Sequence, residues 1–450
     1  MSDEISTLSE QWNRLGRLHA KRVSEKLRAF HAGEVDELPS DPRGEELAQK
    51  VLDAVVELNR AGKWREARRL FDPAHEPLIF QMGDVGLPFV VALGADGALF
   101  RRGSTWQEGH MWMVQGEELS ALPEIIAAAI SPDRTALALA SEEGIRVVRG
   151  WGGEEIARFR WPEPSELIPD WVPKEHRNRY TVEVPTKSLE RLAVTNSGTR
   201  VAVALGSGVL VATAGRDGWR LVLPRHDEPG EWVLEELAKG EEIGFHGDMV
   251  HVALSADGTF LACGAQDEGH HLFSVDAAGE PKHWATLGHA SEYPDDACFS
   301  EDGAYVALNS CHFYNGATIV ARVAEVAGLT TEPYDEDTRT PVINDYLRVY
   351  ASTWLPGEAL GGGAGVFALA GAGVLTLVGI DGKVRSELMF GSSASGIDYC
   401  PKTQTLVLGS YSGFLHFLRP GEDDPSAIGW HASREVKRWC FLKDLPPLQW

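Results

Sequence analysis

Basic residues are scarce in this chain. Its 450 residues carry 42 Lys and Arg against 66 Asp and Glu, a formal net charge of −24. Nucleic acids and anionic membranes are held by clustered Lys and Arg, so neither is an expected partner. Cysteine is also scarce: five, at positions 263, 298, 311, 400 and 440, with no C-x-x-C pair. An odd, unpaired set argues against a disulfide framework. Four of the five lie in or beside strand-like runs, where Cys behaves as a small apolar residue. No disulfide is expected, and the chain suits a reducing compartment, the cytoplasm. Met1-Ser2-Asp3-Glu4 is acidic and leads into no apolar run, so no secretory signal is expected. Gly361 to Ile380, 20 residues without a charge, is long enough for a membrane helix. It holds seven glycines, and Gly371-Ala372-Gly373 separates Val366–Ala370 from Val374–Val378, so two buried strands and a turn are expected instead.

Catalytic signatures are missing as well. In Gly409-Ser410-Tyr411-Ser412-Gly413 the nucleophile position of a G-x-S-x-G elbow is Tyr. Gly361-Gly362-Gly363-Ala364-Gly365 lacks the Lys and the spacing of a phosphate-binding loop. No H-E-x-x-H occurs. His246, His251, His270, His271, His283 and His289 crowd one region, and three converging imidazoles would bind zinc. Adjacent His270 and His271 point to opposite faces of a strand, however. No catalytic residue, metal or cofactor is expected from these patterns.

What the chain has in quantity is a repeated hairpin. Val250, Val252 and Leu254 alternate as in a strand, and Asp257-Gly258 supplies a tight reversal, since Gly accepts positive φ at no steric cost. Ser255-Ala256-Asp257-Gly258 has counterparts at Ser131-Pro132-Asp133-Arg134, Thr195-Asn196-Ser197-Gly198, Ser300-Glu301-Asp302-Gly303 and, in degenerate form, Cys400-Pro401-Lys402-Thr403. A hairpin cannot bury its apolar face alone, so the repeat implies an array. Counting one unit in the gap after position 300 and one before position 131 gives about seven units of roughly four strands each. They run over about 78–116, 124–161, 189–224, 247–287, 295–330, 347–391 and 395 to the C-terminus. Leu78-Ile79-Phe80-Gln81 and Arg438-Trp439-Cys440-Phe441-Leu442 are the candidate strands for closing the array.

The pattern resembles the WD40-like β-propellers. Gly288-His289, Ala297-Cys298-Phe299-Ser300-Glu301-Asp302-Gly303 and Val306-Ala307 carry the resemblance, as do Ile397–Pro401, Leu406–Ser410 and Ser412–Phe417. The chain has no Trp-Asp dipeptide, so it is similar to the bacterial type that lacks it. The resemblance implies an all-β fold, a seven-bladed β-propeller over residues 76–450, with structural histidines at 246 and 289. Residues 1–75 read differently, as a short N-terminal α-helical segment. Ile5, Leu8, Trp12, Leu15, Val23, Leu27 and Phe30 recur at helical spacing, a second helix carries Leu47, Val51, Val55 and Leu58, and Gly62 precedes a third.

Three long insertions, Pro162–Ser188, Arg225–Phe245 and Thr331–Tyr346, each follow the expected last strand of one unit, which puts them on one face. They combine aromatic and Arg residues, the usual anchors of interfaces, with many carboxylates. Trp171, His176, Arg177, Tyr180, Trp232, Glu235, Glu236, Tyr334, Asp335 and Glu336 are the candidate partner-binding residues. The expectation is a non-catalytic protein that binds another protein with a basic surface, such as an immunity protein occluding a basic toxin. The alternative is a hydrolase or lyase with carboxylates and His at the central channel. Its mark would be those groups converging on a pocket.

Overall fold

A computed structural model describes the chain except residues 1–2, 32–33, 36, 84–85, 104–108, 169–171, 181–188, 217, 224–234, 238, 242–246, 267, 289, 313–314 and 432, and the side chains of 28 and 31. Helices α1 (Asp3–His31), α2 (Glu45–Arg60) and α3 (Trp64–Leu70) come first. Gly62 separates the last two at φ +68°, a left-handed turn that suits glycine. Antiparallel sheets make up most of the remainder. Five have four strands each, joined in chain order, and begin at Val91–Ala92, Ala127–Ile130, Leu189–Val194, His251–Leu254 and Tyr293–Phe299. The sixth, from Val349–Leu355 to Leu448–Gln449, has eight.

The sixth sheet is two units fused. Strand Val384–Cys400 pairs through its first half with Val366–Gly379 and through its second half with Thr405–Ser410. Ile428–Trp430 adds to the first half from far along the chain. Val366–Gly379 is one strand with a register shift between Ala372 and Val374, so the turn expected at Gly371-Ala372-Gly373 is absent. The glycines there admit backbone rather than reverse the chain: a Cβ on Gly371 would meet the Arg348 carbonyl oxygen at 1.8 Å.

The repeated hairpin has one chemistry. The Oγ of Ser131, Ser255 and Ser300 donates to the carboxylate two residues on, at 2.6–2.8 Å, and accepts the amide five residues on at 2.9 Å. The fourth residue is left-handed each time: Arg134, Gly198, Gly258 and Gly303 have φ of 67–75°. The apolar core lies between neighbouring sheets. Val201, Val203 and Leu205 of the third face Ala138, Ile145 and Val147 of the second, for example. First strands touch their neighbours in chain order, and Val91–Ala92 also touches Val384–Cys400.

Three expectations need correction. Glu76–Gln81 is a 3-10 helix, not a closing strand, because Pro77 sets its first turn, and the first sheet runs from Val91 to Leu122. The fifth unit does not end near 330. Its fourth strand is Val342–Asn344, so the insertion Thr331–Tyr346 does not follow the last strand: residues 331–341 join the third strand to the fourth. Arg438–Leu442 overlaps Ser433–Cys440, which pairs with Phe414–Asp423 and Leu448–Gln449 and meets the first sheet only through packing, Trp439 and Phe441 lying against Phe100 and Val114. The helices cover this last edge. Trp12, Val51, Val55 and Phe71 share a core with Phe414, Cys440 and Trp450, and a covered edge cannot template further pairing.

Candidate functional site

The insertions come first, as the residues singled out by sequence. Trp171 and Trp232 lie outside the described residues, as do His246 and His289. His176 and Arg177 sit on a single 3-10 turn, Lys174–Arg179, and are partly exposed. Tyr180 is not an exposed anchor: it is buried with Val172 and Leu237. Leu237 belongs to the second insertion, and its carbonyl accepts from Arg179 Nη1 at 3.1 Å. The first two insertions therefore pack on each other. Glu235 is exposed and Glu236 partly so. Tyr334 is 59% exposed and Asp335 and Glu336 are exposed. The third insertion begins beside the loop joining the fourth and fifth sheets, where Gly288 N donates to Thr331 Oγ1 at 2.7 Å. That loop is the same type of connection, last strand to first strand, from which the other two insertions leave.

The second candidate was invisible as a motif. One cavity of about 280 Å³ is lined by residues of the first strand of every small sheet and of both halves of the fused one, among them Val91, Ala129, Leu192, Ala253, Ser352 and Ile397. Its walls are mostly apolar, with Glu190, Arg191, Asp296, Glu301 and the Arg134–Asp398 pair as charged exceptions. Pro294 pairs with Ser310 and Asp296 with Asn309, which leaves Asp295 as the extra residue of a bulge. Two adjacent carboxyls thus enter a buried inner strand, each 8% exposed. Asp296 Oδ2 accepts from Ser352 Oγ at 2.5 Å and Asn309 Nδ2 at 3.2 Å, and Arg191 Nε stands 3.9 Å from Oδ1. Burial pushes Asp295 up to about 7 and Asp296 up to about 6, against the lowering charge of Arg191. Below about pH 6 this pair holds a proton, as a general acid must. The one available sequence signal was a doubled acid in a strand due to be buried.

Arg134 also lines the cavity. It occupies the left-handed hairpin position that glycine takes elsewhere, and its guanidinium donates to Asp398 at 2.7 and 2.5 Å and to the Ala92 carbonyl at 2.5 Å. Asp398 also accepts from Ala92 N at 2.7 Å, so one ion pair ties the first, second and last units together.

Among the described residues, His251, His270, His271 and His283 are held in two separate hydrogen-bonded groups. His251 Nε2 meets His270 Nδ1 at 3.2 Å, His270 Nε2 meets Ser310 Oγ at 3.1 Å, and His271 and His283 share Thr286 Oγ1. Burial pushes His251 down to about 3, so it is neutral and structural. Both His270 and His271 are buried, on opposite faces of a central strand. Among the described residues the one metal-type cluster is His19, Asp41 and Glu76 in the helical segment, which no sequence spacing signals.

No family model matches the chain, and no curated protein matches it. Among solved structures, the hydrazine synthase of Kuenenia stuttgartiensis is similar at 16% identity over 67% of this chain and 78% of that one, with a TM-score of 0.37.

Proposed function

We propose that this chain is a WD40-like, seven-bladed β-propeller that binds another protein and performs no catalysis. Seven inner strands around one cavity, with contacts between the first and last units, support the ring reading. The observation that carries the binding role is the packing of the first two insertions on each other through Tyr180, Val172 and Leu237. Loops that bury their own small core present a preorganised outer face, which lowers the cost of association. That face belongs to a chain of net charge −24, which favours a partner with a basic surface. A basic toxin neutralised by occlusion, in the cytoplasm, is the specific partner we infer, and it rests on charge and loop placement.

The test is kinetic. A basic partner recovered by pull-down should associate more slowly as salt rises, because screening shortens the reach of the acidic face. Trp232→Ala and Tyr334→Ala should each weaken binding, by about 2 kcal/mol for a residue at the centre of the interface. If removing residues 226–244 from a folded protein leaves affinity and on-rate unchanged, the insertions are not the binding face.

A second reading has its own observation, the buried carboxyl pair of which Asp296 lines the cavity. Asp296 as proton donor beside Arg191 would suit a hydrolase or lyase acting on a small substrate. Turnover of a chromogenic ester, phosphoester or glycoside, abolished by Asp296→Asn, would favour it over the binding role.

A further inference from the structure

A second cavity, of about 260 Å³, lies where the helical segment meets the last unit. A water needs only roughly 10–15 Å³ of such volume, so this space holds more than one solvent molecule. Its floor is His416, 1% exposed. His416 Nδ1 lies 2.8 Å from Glu435 Oε1, and Arg438 holds both oxygens of that carboxylate at 2.9 Å. The arginine keeps Glu435 ionised, well below the usual carboxylate range, and burial lowers His416. The imidazole is therefore neutral, with its proton on Nδ1 facing the carboxylate and a lone pair on Nε2. That Nε2 is buried and has no hydrogen-bond partner among the described residues. His19, across the cavity, repeats the arrangement: its Nε2 faces Asp41 and Glu76 at 3.7 and 3.6 Å, and its buried Nδ1 has no partner among the described residues.

The cavity's donors, by contrast, are engaged. Arg43 is forked onto Asp41, Arg438 onto Glu435 and the Ala74 carbonyl, and Arg68 onto the carbonyls of Trp450 and Glu435. With Asp424 and the half-exposed Glu76, the lining has three arginines and four carboxylates, a formal excess of one negative charge. Buried acceptors left open call for a ligand that donates, and the charge excess calls for a cation.

We propose that this cavity binds a small organic cation, an amine or guanidine, with His416 Nε2 as its buried hydrogen-bond acceptor and Glu76 countering its charge at the rim. The ligand bridges the helices and the last unit, so binding also strengthens their junction.

Calorimetry on the full chain with putrescine and agmatine tests this, with uncharged butanediol and zinc chloride alone as comparisons. Both amines should bind and the diol should not. His416→Phe keeps a ring between Phe390 and Phe414 but removes the acceptor, and should weaken the amines about tenfold or more. Glu76→Gln should weaken them while leaving the fold intact. Histidine labelled with nitrogen-15 supplies a readout in the unaltered protein: amine binding must move the His416 imidazole resonances. Absence of amine binding at about 10 mM overturns the proposal. So does equal binding by His416→Phe, an unmoved His416 signal, or occupation of the site by zinc with no competition from amines.

Discussion

Replacing Asp295 with Asn should stabilise this protein, and only above acidic pH. The carboxyl is 8% exposed, and burial raises it from its ordinary 3.8 to about 7. A carboxyl raised on folding is protonated in the folded chain while ionised in the unfolded one. The folded state therefore binds the extra proton between about pH 4 and pH 7, and stability falls as pH rises through that window. The contribution is fully present below the unfolded value and fully lost above about 7. Each unit corresponds to about 1.4 kcal/mol, so three units give a loss of at most about 4 kcal/mol by pH 8. That is a large fraction of a typical stability of about 5–15 kcal/mol. Asn keeps the shape and cannot ionise, so its stability lacks this slope. Urea denaturation of both proteins from pH 4 to pH 8 measures the difference, which cancels the titrating groups that do not interact with Asp295. The gap should be near zero at pH 4 and widen steadily to pH 8. A gap independent of pH, or one that favours the wild type at pH 8, would refute a buried, protonated Asp295. The second result would mean that Arg191 and Arg348 keep the group ionised.

Other outcomes follow from buried contacts. Trp450→Ala should cost about 3–5 kcal/mol, because the fully buried indole packs under the helices and donates to the Phe71 carbonyl at 2.8 Å; proteolysis should then cut sooner between α1 and α2, and an unchanged cutting rate would show that the helices are held otherwise. Arg134→Ala should cost about 3–5 kcal/mol in denaturant, since it strands Asp398 beside the cavity; Arg134→Lys should recover only part of that loss, having no fork. All five cysteines are unpaired, four of them are buried, and burial pushes Cys311 and Cys440 up to about 12. Alkylation without reductant should therefore label five thiols in denaturant and very few quickly in the native protein, and a shortfall of two under denaturing conditions would reveal a disulfide.

Local patterns were legible in the sequence because their causes are local. Alternation of apolar residues marks strands, and a Ser-x-Asp-Gly hairpin satisfies its own amides within five residues, so Ser131, Ser255 and Ser300 could be recognised in isolation. The helical periodicity of residues 3–31 and the break at Gly62 are likewise short-range. Strand length was harder to read. Val366–Gly379 passes straight through glycines that signal a turn, because the Arg348 backbone lies against Gly371 and only a packed neighbour makes that choice. Tyr180 looked like an exposed anchor until Leu237, more than fifty residues later, covered it. Asp295 and Asp296 became a proton-holding pair only once a bulge set both in a buried strand beside Arg191. His416 acquired an open Nε2 because Glu435 and Arg438 come from a neighbouring strand, and His19 faces the same cavity from the first helix. The sequence by itself determined the strands, the hairpins and the charge. The tertiary structure decided which polar groups lost their water, since desolvation depends on what packs above a residue and not on what adjoins it in the chain.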